Sequence, residues 1–379
     1  MKPRSFHVLH LSSVHPASDV RLLGKECATL AAAGHRVELW GHHPRSEVIA
    51  GVVIHPLPPV ASRLQRMVWL PCVLLVASLR RRADFHHLHD PELLPLGMLL
   101  ALTGRRVIYD IHEDVPGAIM TKYWIPPVWR RLLAWSVDLI ERAAMQMLTG
   151  FIPATPAIAR RFPPARTQVV QNLPRLEEFS APPGPRQPTQ DEAVFAYVGV
   201  ISEMRGVREM LDALALTPAH FRLVFMGEMS PATLLDEMRQ HPAWSKVTYL
   251  GQRPREEAAR LMMSAHAGLV LFHPAPNHTE SQPNKLFEYM AAGLPIIASD
   301  FPFWRALIAG EGCGLLVDPL DPAAISRAMI AVTQDPTEAA AMSRRGRAAV
   351  FERLNWSTEG ARLVDFYTRL AEKPRHPVI

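Results

Sequence analysis

Glu280 and Glu288 stand eight residues apart in the run Glu280-Ser-Gln-Pro-Asn-Lys-Leu-Phe-Glu288, ahead of Tyr-Met-Ala-Ala-Gly-Leu-Pro-Ile-Ile-Ala-Ser. This pattern predicts a helix over 283–292, closed by Gly293. Pro283 opens it, where a missing N–H costs nothing. The unbonded N–H groups of Asn284, Lys285 and Leu286 then make an anion site, and the Lys285 side chain adds a full charge. Glu288, one turn in, can accept hydrogen bonds from ribose hydroxyls; Glu280, outside the helix, can reach sugar hydroxyls. Taken alone, one glutamate could be solvated and the other could merely complement the helix dipole. The Asn-Lys pair between them and the apolar strand just after favour a ligand carrying both phosphates and hydroxyls, and nucleotide sugars are the obvious class.

Other residue types in the chain suit the same ligand. Arg205 stands at a predicted helix start, where the dipole repels a cation, so an anionic ligand is the better reason for it than a surface role. Gly227-Glu228 and Gly251-Gln-Arg253 each follow an apolar run and read as turns at the rim of a sheet, either ordinary or ligand-facing. His89 and His112 end apolar strands; one such histidine is more often structural, but two facing one cleft point to contact with a ligand.

The elements that must hold these residues read as α/β. Short Val/Ile/Leu runs alternate with helix-like segments throughout, the mark of parallel sheets with helical crossovers. In the first half strands are expected over 8–11, 37–40, 52–55, 85–88, 107–111, 150–153 and 168–171, with a helix over 22–33 stopped by Gly34. In the second half they are expected over 194–198, 222–226, 247–250, 268–272, 295–298 and 314–317. The run Ala-Pro-Pro-Gly-Pro-Arg-Gln-Pro-Thr-Gln at 181–190 excludes regular structure. The expected organisation is therefore an N-terminal domain 1–180, a linker 181–192, a second domain 193–355 and a C-terminal helical segment 356–379 packing back on the first domain. Two doubly wound domains in tandem leave an interdomain cleft at the carboxyl ends of their strands, where ligands bind.

At 379 residues the chain is long for one core, and its 48% hydrophobic and 20% charged residues are ordinary for a globular protein. Three scattered cysteines give no disulfide framework or zinc motif and fit a reducing compartment. The N-terminal stretch lacks a signal-peptide apolar region, and no run is long enough to span a bilayer, so a cytoplasmic location is expected. Charge is uneven: residues 1–190 hold 22 Lys+Arg against 14 Asp+Glu (+8), the remainder 19 against 22 (−3). The basic half should face an anionic surface. No nucleic-acid-binding motif is present, and no G-x-G-x-x-G follows a strand, which disfavours a dinucleotide dehydrogenase.

End to end, the chain resembles a GT-B glycosyltransferase of the retaining family 4 type, in particular the branch that assembles bacterial surface polysaccharides. The residues that carry the likeness run from Glu280 to Ser299 and from Tyr197 to Gly206, with Met226-Gly-Glu228, Leu250-Gly251, Tyr109-Asp-Ile-His112-Glu, Gln171-Asn172 and Asn355-Trp-Ser357. The resemblance implies that Glu288 binds the nucleotide ribose, that Glu280 faces the donor sugar, and that His112 contacts that sugar beside the anomeric carbon. It implies that Gly227, Glu228, Gly251, Arg253 and Asn284 lie around the nucleotide. Asp19 and Arg21, in the loop after the first strand, and His89 would line the acceptor side, although Asp19 could equally cap a helix.

Two departures from the family pattern stand out. Pro283 replaces a glycine whose N–H touches the sugar, and Val200 stands where an arginine commonly meets the diphosphate. Arg205 keeps the second cation, and Lys285 is the nearest replacement for the first. No D-x-D occurs, so no metal and no other cofactor is indicated. Two apolar segments flanked by arginines, 67–79 and 122–135, read as core helices or as contacts with an anionic inner-membrane surface. The expected function is transfer of a sugar, with retention, from a nucleotide sugar to a hydroxyl of a lipid-linked or saccharide acceptor. The alternatives are a nucleotide-sugar epimerase or hydrolase on the same fold, or a non-catalytic member of a polysaccharide assembly complex.

Overall fold

A computed structural model describes residues 5–122, 124–180 and 192–372. The chain forms two compact units: one runs up to Asn172 and resumes at Thr358, the other is Leu173–Ser357. Each is built on a twisted sheet with helices as crossovers.

The first sheet holds β1 (His7–Pro16), β2 (Arg36–His42), β3 (Glu47–Ile49), β4 (Val52–Pro56), β5 (Phe85–Leu88), β6 (Arg106–Ile111) and β7 (Gly150–Pro153), in the order β3-β4-β2-β1-β5-β6-β7. All pairings are parallel except β3 with β4. The short β3 was not expected; it is a half-exposed edge strand of three residues, with no apolar run to betray it. The strand expected over 168–171 does not form a ladder. Gln168 N–H bonds Phe151 O at 3.0 Å and Val170 N–H bonds Pro153 O at 3.1 Å, but only one bridge, Phe151 to Thr167, closes beside β7. The segment after β1 begins as a π-helical stretch, Val20–Cys27, before the α-helix Ala28–Ala32 and Gly34.

The second sheet is wholly parallel: β8 (Ala193–Val198), β9 (Phe221–Met226), β10 (Val247–Gly251), β11 (Ala267–Val270), β12 (Ile296–Ser299) and β13 (Gly314–Val317), in the order β10-β9-β8-β11-β12-β13. Side chains of one strand alternate between two cores. Phe195 and Tyr197 pack with the helix Val207–Ala215, and Ala196 packs with the helix Asn284–Ala291. That burial on both faces is why these strands read as continuous apolar runs.

Two boundaries differ from the sequence reading. The break falls after Asn172 rather than Ser180, because Leu173 and Phe179 are buried in the second unit's core. The expected linker at 181–191 lies outside the described residues. The helix Trp356–Glu372 begins in the second unit and continues in the first, where Tyr367 meets the Phe85 ring edge-on at 5.0 Å and its hydroxyl lies 2.6 Å from His87 Nδ1.

Candidate active site

In the second unit, the helix Asn284–Ala291 is fixed from its core side. Gly268 in β11 leaves room for the Tyr289 ring, which a Cβ there would approach to 2.3 Å, and the Tyr289 hydroxyl accepts from Val198 N–H at 3.0 Å. Pro283 is the N-cap rather than the first helical residue. Of the three N–H groups expected to be open, Leu286 is already bonded to Pro283 O at 3.0 Å, so the anion site narrows to Asn284 and Lys285.

Lys285 is buried, with its ammonium 3.6 Å from the Tyr197 ring centroid and 5.6 Å from that of Phe272. Among the described residues Nζ has no hydrogen-bond acceptor. Burial and then the charge of Arg205 push its pKa well down, against a weaker pull from Glu288. Arg205 lies over the same Phe272 ring at 5.3 Å, and its Nη1 donates to Val200 O at 3.1 Å. Lys285 and Arg205 thus converge near the exposed Val200, among ring faces, the Val200 carbonyl and the Tyr197 hydroxyl, with Glu288 exerting a weaker pull on Lys285. Packing against the rings holds the two basic side chains close together at this edge.

The loops around it are shaped by glycine. Gly227, with φ of 146°, takes a conformation closed to other residues, and a Cβ there would lie 2.1 Å from Gly199 O. Gly227 N–H donates to Gly251 O, and Ile201 N–H to Glu228 O, both at 2.8 Å. Consecutive strand ends are thereby tied along the carboxyl edge of the sheet. The close approach is at Gly227; at Gly251 a Cβ would meet nothing within 4 Å, as in an ordinary turn. The side chains of Glu228, Arg253, Glu280 and Asn284 are exposed; Arg253 Nε donates to Leu250 O at 3.0 Å. Glu288 is engaged on one side, its Oε1 accepting from Arg255 Nη2 at 3.0 Å, while Arg255 also binds Glu178. Neither Arg255 nor Glu178 stood out in the sequence, because nothing there reveals that 178 and 255 meet at 288.

In the first unit, His112 emerges just past β6 and is oriented from behind. Its Nε2 lies 2.7 Å from Asp110 Oδ2, and the same oxygen lies 3.1 Å from His89 Nδ1. Burial alone would raise Asp110, but Arg21, His112 and His89 hold it well below the usual carboxylate range. An ionised Asp110 accepts from both imidazoles, so His112 carries its proton on Nε2 and presents Nδ1. His89 Nε2 in turn faces His10 Nδ1 at 2.9 Å.

Of the three residues expected on the acceptor side, Arg21 and His89 are turned inward and Asp19 is a half-exposed cap. Arg21 is buried, with Nη2 on Asp110 at 2.7 Å, Nε on Glu26 at 2.9 Å and Nη1 on Val170 O at 3.0 Å; it neutralises Asp110, while burial and the Asp110 charge push Glu26 well above the usual carboxylate range. His89 is buried between His10 and Asp110. Asp19 caps the following helical stretch, its Oδ1 accepting from Arg21 N–H at 2.8 Å and Leu22 N–H at 3.0 Å. The partners come from positions up to 149 residues away, beyond the reach of sequence spacing. Asp110, Asp90 and Glu26 were missed for the same reason. Asp90 Oδ2 pins the irregular second half of β1 by accepting from Ser12 Oγ at 2.9 Å and Ser13 N–H at 2.7 Å. Ligand-type atoms of His10, Glu26, His87 and His89, and of His89, Asp110 and His112, lie close enough to hold a metal. In the second group they already bond one another.

Two α/β units, one with Lys285 and Arg205 at the carboxyl edge of its parallel sheet and Glu288 on the adjoining helix, are the frame to compare with known proteins. Residues 21–172 match the family model Glycosyltransferase Family 4, and residues 184–349 match Glycosyl transferases group 1. The chain belongs to this family and is a glycosyltransferase of GT-B fold. It is 28% identical to the phosphatidyl-myo-inositol mannosyltransferase of Mycobacterium leprae over 384 residues, 96% of this chain and 92% of that one. The sucrose-phosphate synthase of Thermosynechococcus elongatus superposes with a TM-score of 0.79 at 20% identity, covering 96% and 98% of the two chains. Anabaena HepE, solved in complex with UDP-glucose, superposes with a TM-score of 0.71 at 14% identity, covering 96% and 100%.

Proposed function

We propose that the protein is a retaining glycosyltransferase that moves a sugar from a nucleotide-sugar donor to a hydroxyl of a lipid-linked acceptor, in the assembly of a bacterial surface polysaccharide at the inner face of the plasma membrane. The observation that carries the donor half is the buried Lys285 ammonium, beside Arg205 and without an acceptor among the described residues. A leaving diphosphate is an anion of the size and charge that such a pair stabilises. Glu288, steadied by Arg255, holds the ribose, and Glu280 meets the sugar hydroxyls. The charge on the diphosphate is met by Lys285, Arg205 and the amides of Asn284 and Lys285, so the reading assigns no metal and no cofactor. A UDP-glucose complex among the fold neighbours and a phosphatidylinositol-type acceptor in a relative's name support a nucleotide sugar and a lipid acceptor.

In this reading the acceptor hydroxyl attacks the anomeric carbon on the face the leaving group departs from. The bond from the anomeric carbon to the phosphate oxygen breaks, a bond to the acceptor oxygen forms, and the acceptor proton passes to the departing diphosphate. His112, held by Asp110, presents a lone pair on Nδ1 to a sugar hydroxyl. A thermal-shift panel of UDP-, GDP- and dTDP-sugars tests the donor half: one base and sugar should raise the melting temperature, and no shift by any of them contradicts it. Products followed by NMR test the transfer. The donor should persist without acceptor and give the retained anomer with it, whereas free sugar released without acceptor indicates a hydrolase.

A further inference from the structure

The first unit carries an apolar surface that the reaction does not use. The helices Arg63–Arg80, Leu94–Leu102 and Pro127–Met147 lie on one side of the sheet, the middle one packed against both others. Each shows large apolar side chains to solvent: Leu64, Met67, Val68 and Trp69 on the first, Leu99 and Leu102 on the second, Val128, Trp129, Leu132 and Trp135 on the third. Trp129 and Trp135 are 58% and 62% exposed, and Trp124, just before the third helix, 64%. A contiguous patch of this kind marks an interface.

Its charge identifies the partner. Arg63, Arg80, Arg82 and Arg131 are exposed around the patch. The first two helices contain no acidic residue, and the first in the third helix is Asp138, bonded to Arg142 and Arg161. A second copy of the chain docked here about a two-fold axis would bring like-charged arginine clusters together, and the neighbouring Glu92 is already engaged by Arg66 at 3.2 Å. Tryptophans interleaved with arginines instead suit the headgroup zone of an anionic bilayer. An open recess of about 430 Å³ beside the first helix, lined by Trp40, Trp69, Val76, Arg80 and Arg81, adds apolar room next to cations.

Topology sets the orientation. The first and third helices lead into β5 and β7, so in a parallel sheet they run back from its carboxyl edge. Their exposed first halves therefore lie at the edge where His112 follows β6. We infer that this three-helix face is a docking surface for anionic phospholipid, seated so that the carboxyl edge of the first sheet meets the membrane. This deepens the proposed use of a lipid-linked acceptor by naming the surface that brings the enzyme to it.

Flotation of the full chain with phosphatidylglycerol–phosphatidylcholine vesicles, against phosphatidylcholine alone, tests it. The wild type should float with the anionic vesicles and release as salt rises. The double variant Arg63→Glu/Arg131→Glu should bind about tenfold or more weakly, at about fivefold per arginine near a charged surface, and Trp129→Ala/Trp135→Ala should also bind more weakly. All variants should keep the wild-type melting temperature and its shift with nucleotide sugar, which separates this surface from the donor site. No flotation, equal flotation with neutral vesicles, or undiminished binding by both variants would overturn the inference. So would light scattering that finds a dimer which Trp129→Ala/Trp135→Ala dissociates.

Discussion

Lys285 is the residue on which the donor site turns. An ammonium buried against tyrosine and phenylalanine, without an acceptor among the described residues, is costly to the folded protein and useful only when an anion arrives. Lys285→Met should therefore leave the melting temperature unchanged or raise it, while weakening binding of a nucleoside diphosphate by about 10- to 100-fold, the worth of one charge-assisted hydrogen bond. A large loss of stability would mean that the lysine is structural. Because burial and Arg205 depress its pKa and a diphosphate favours its charged form, binding should take up a proton. The sign follows: between the depressed value and the higher one restored in the complex, affinity falls as pH rises. Calorimetry in buffers of different ionisation enthalpy reads this directly, and proton release on binding contradicts it. Deeper in the first unit, Asp110→Asn leaves the buried Arg21 guanidinium short of a counter-charge; a loss of about 3–5 kcal/mol in urea unfolding is expected.

At the scale of elements, the carboxyl edge of the second sheet is the least tolerant part. Gly227→Ala places a methyl group on Gly199 O at a φ of 146°, so the two loops must separate; roughly 2–4 kcal/mol should be lost in urea unfolding, and donor binding with it. A neutral substitution would mean that the loops are not held together there. These elements were also the most legible in the sequence, since strands buried on both faces announce themselves as apolar runs and all six were anticipated. The helix after Pro283 was legible too, although one of its three expected free amides proved to be bonded. The failures have one cause. The 168–171 segment is apolar enough for a strand but forms no ladder, the one bridge beside it being at Thr167, and the fate of Arg21, His89 and Asp19 was decided by partners distant in sequence or by a cap. Spacing locates a residue along an element; it does not say which buried charge waits across the sheet.

At the scale of the whole molecule, the chain passes between the units twice, after Asn172 and after Ser357. The proline-rich run drew the boundary to 181, but the core residues Leu173 and Phe179 place it earlier. The last helix is part of the first unit: Phe366, Tyr367 and Leu370 are buried, the last two beside β5 and β7. Ending the chain at Ser357 removes four large buried apolar side chains, Leu363, Phe366, Tyr367 and Leu370, each worth about 1.5–3 kcal/mol of burial. Such a truncation should lose the first unit's melting transition and its soluble yield; full retention of both would contradict this assignment. The described residues contain no helix long and apolar enough to cross a membrane. The basic first half and slightly acidic second half accord with a division in which one unit meets an anionic surface and the other holds the donor. The central claim is that Lys285 and Arg205 hold the diphosphate of a nucleotide sugar. Calorimetric titration of UDP, GDP and dTDP into the wild type and Lys285→Met tests it most directly. One of the three should bind the wild type and bind the variant at least about tenfold more weakly, whereas equal binding by both proteins, or binding by neither, would contradict it.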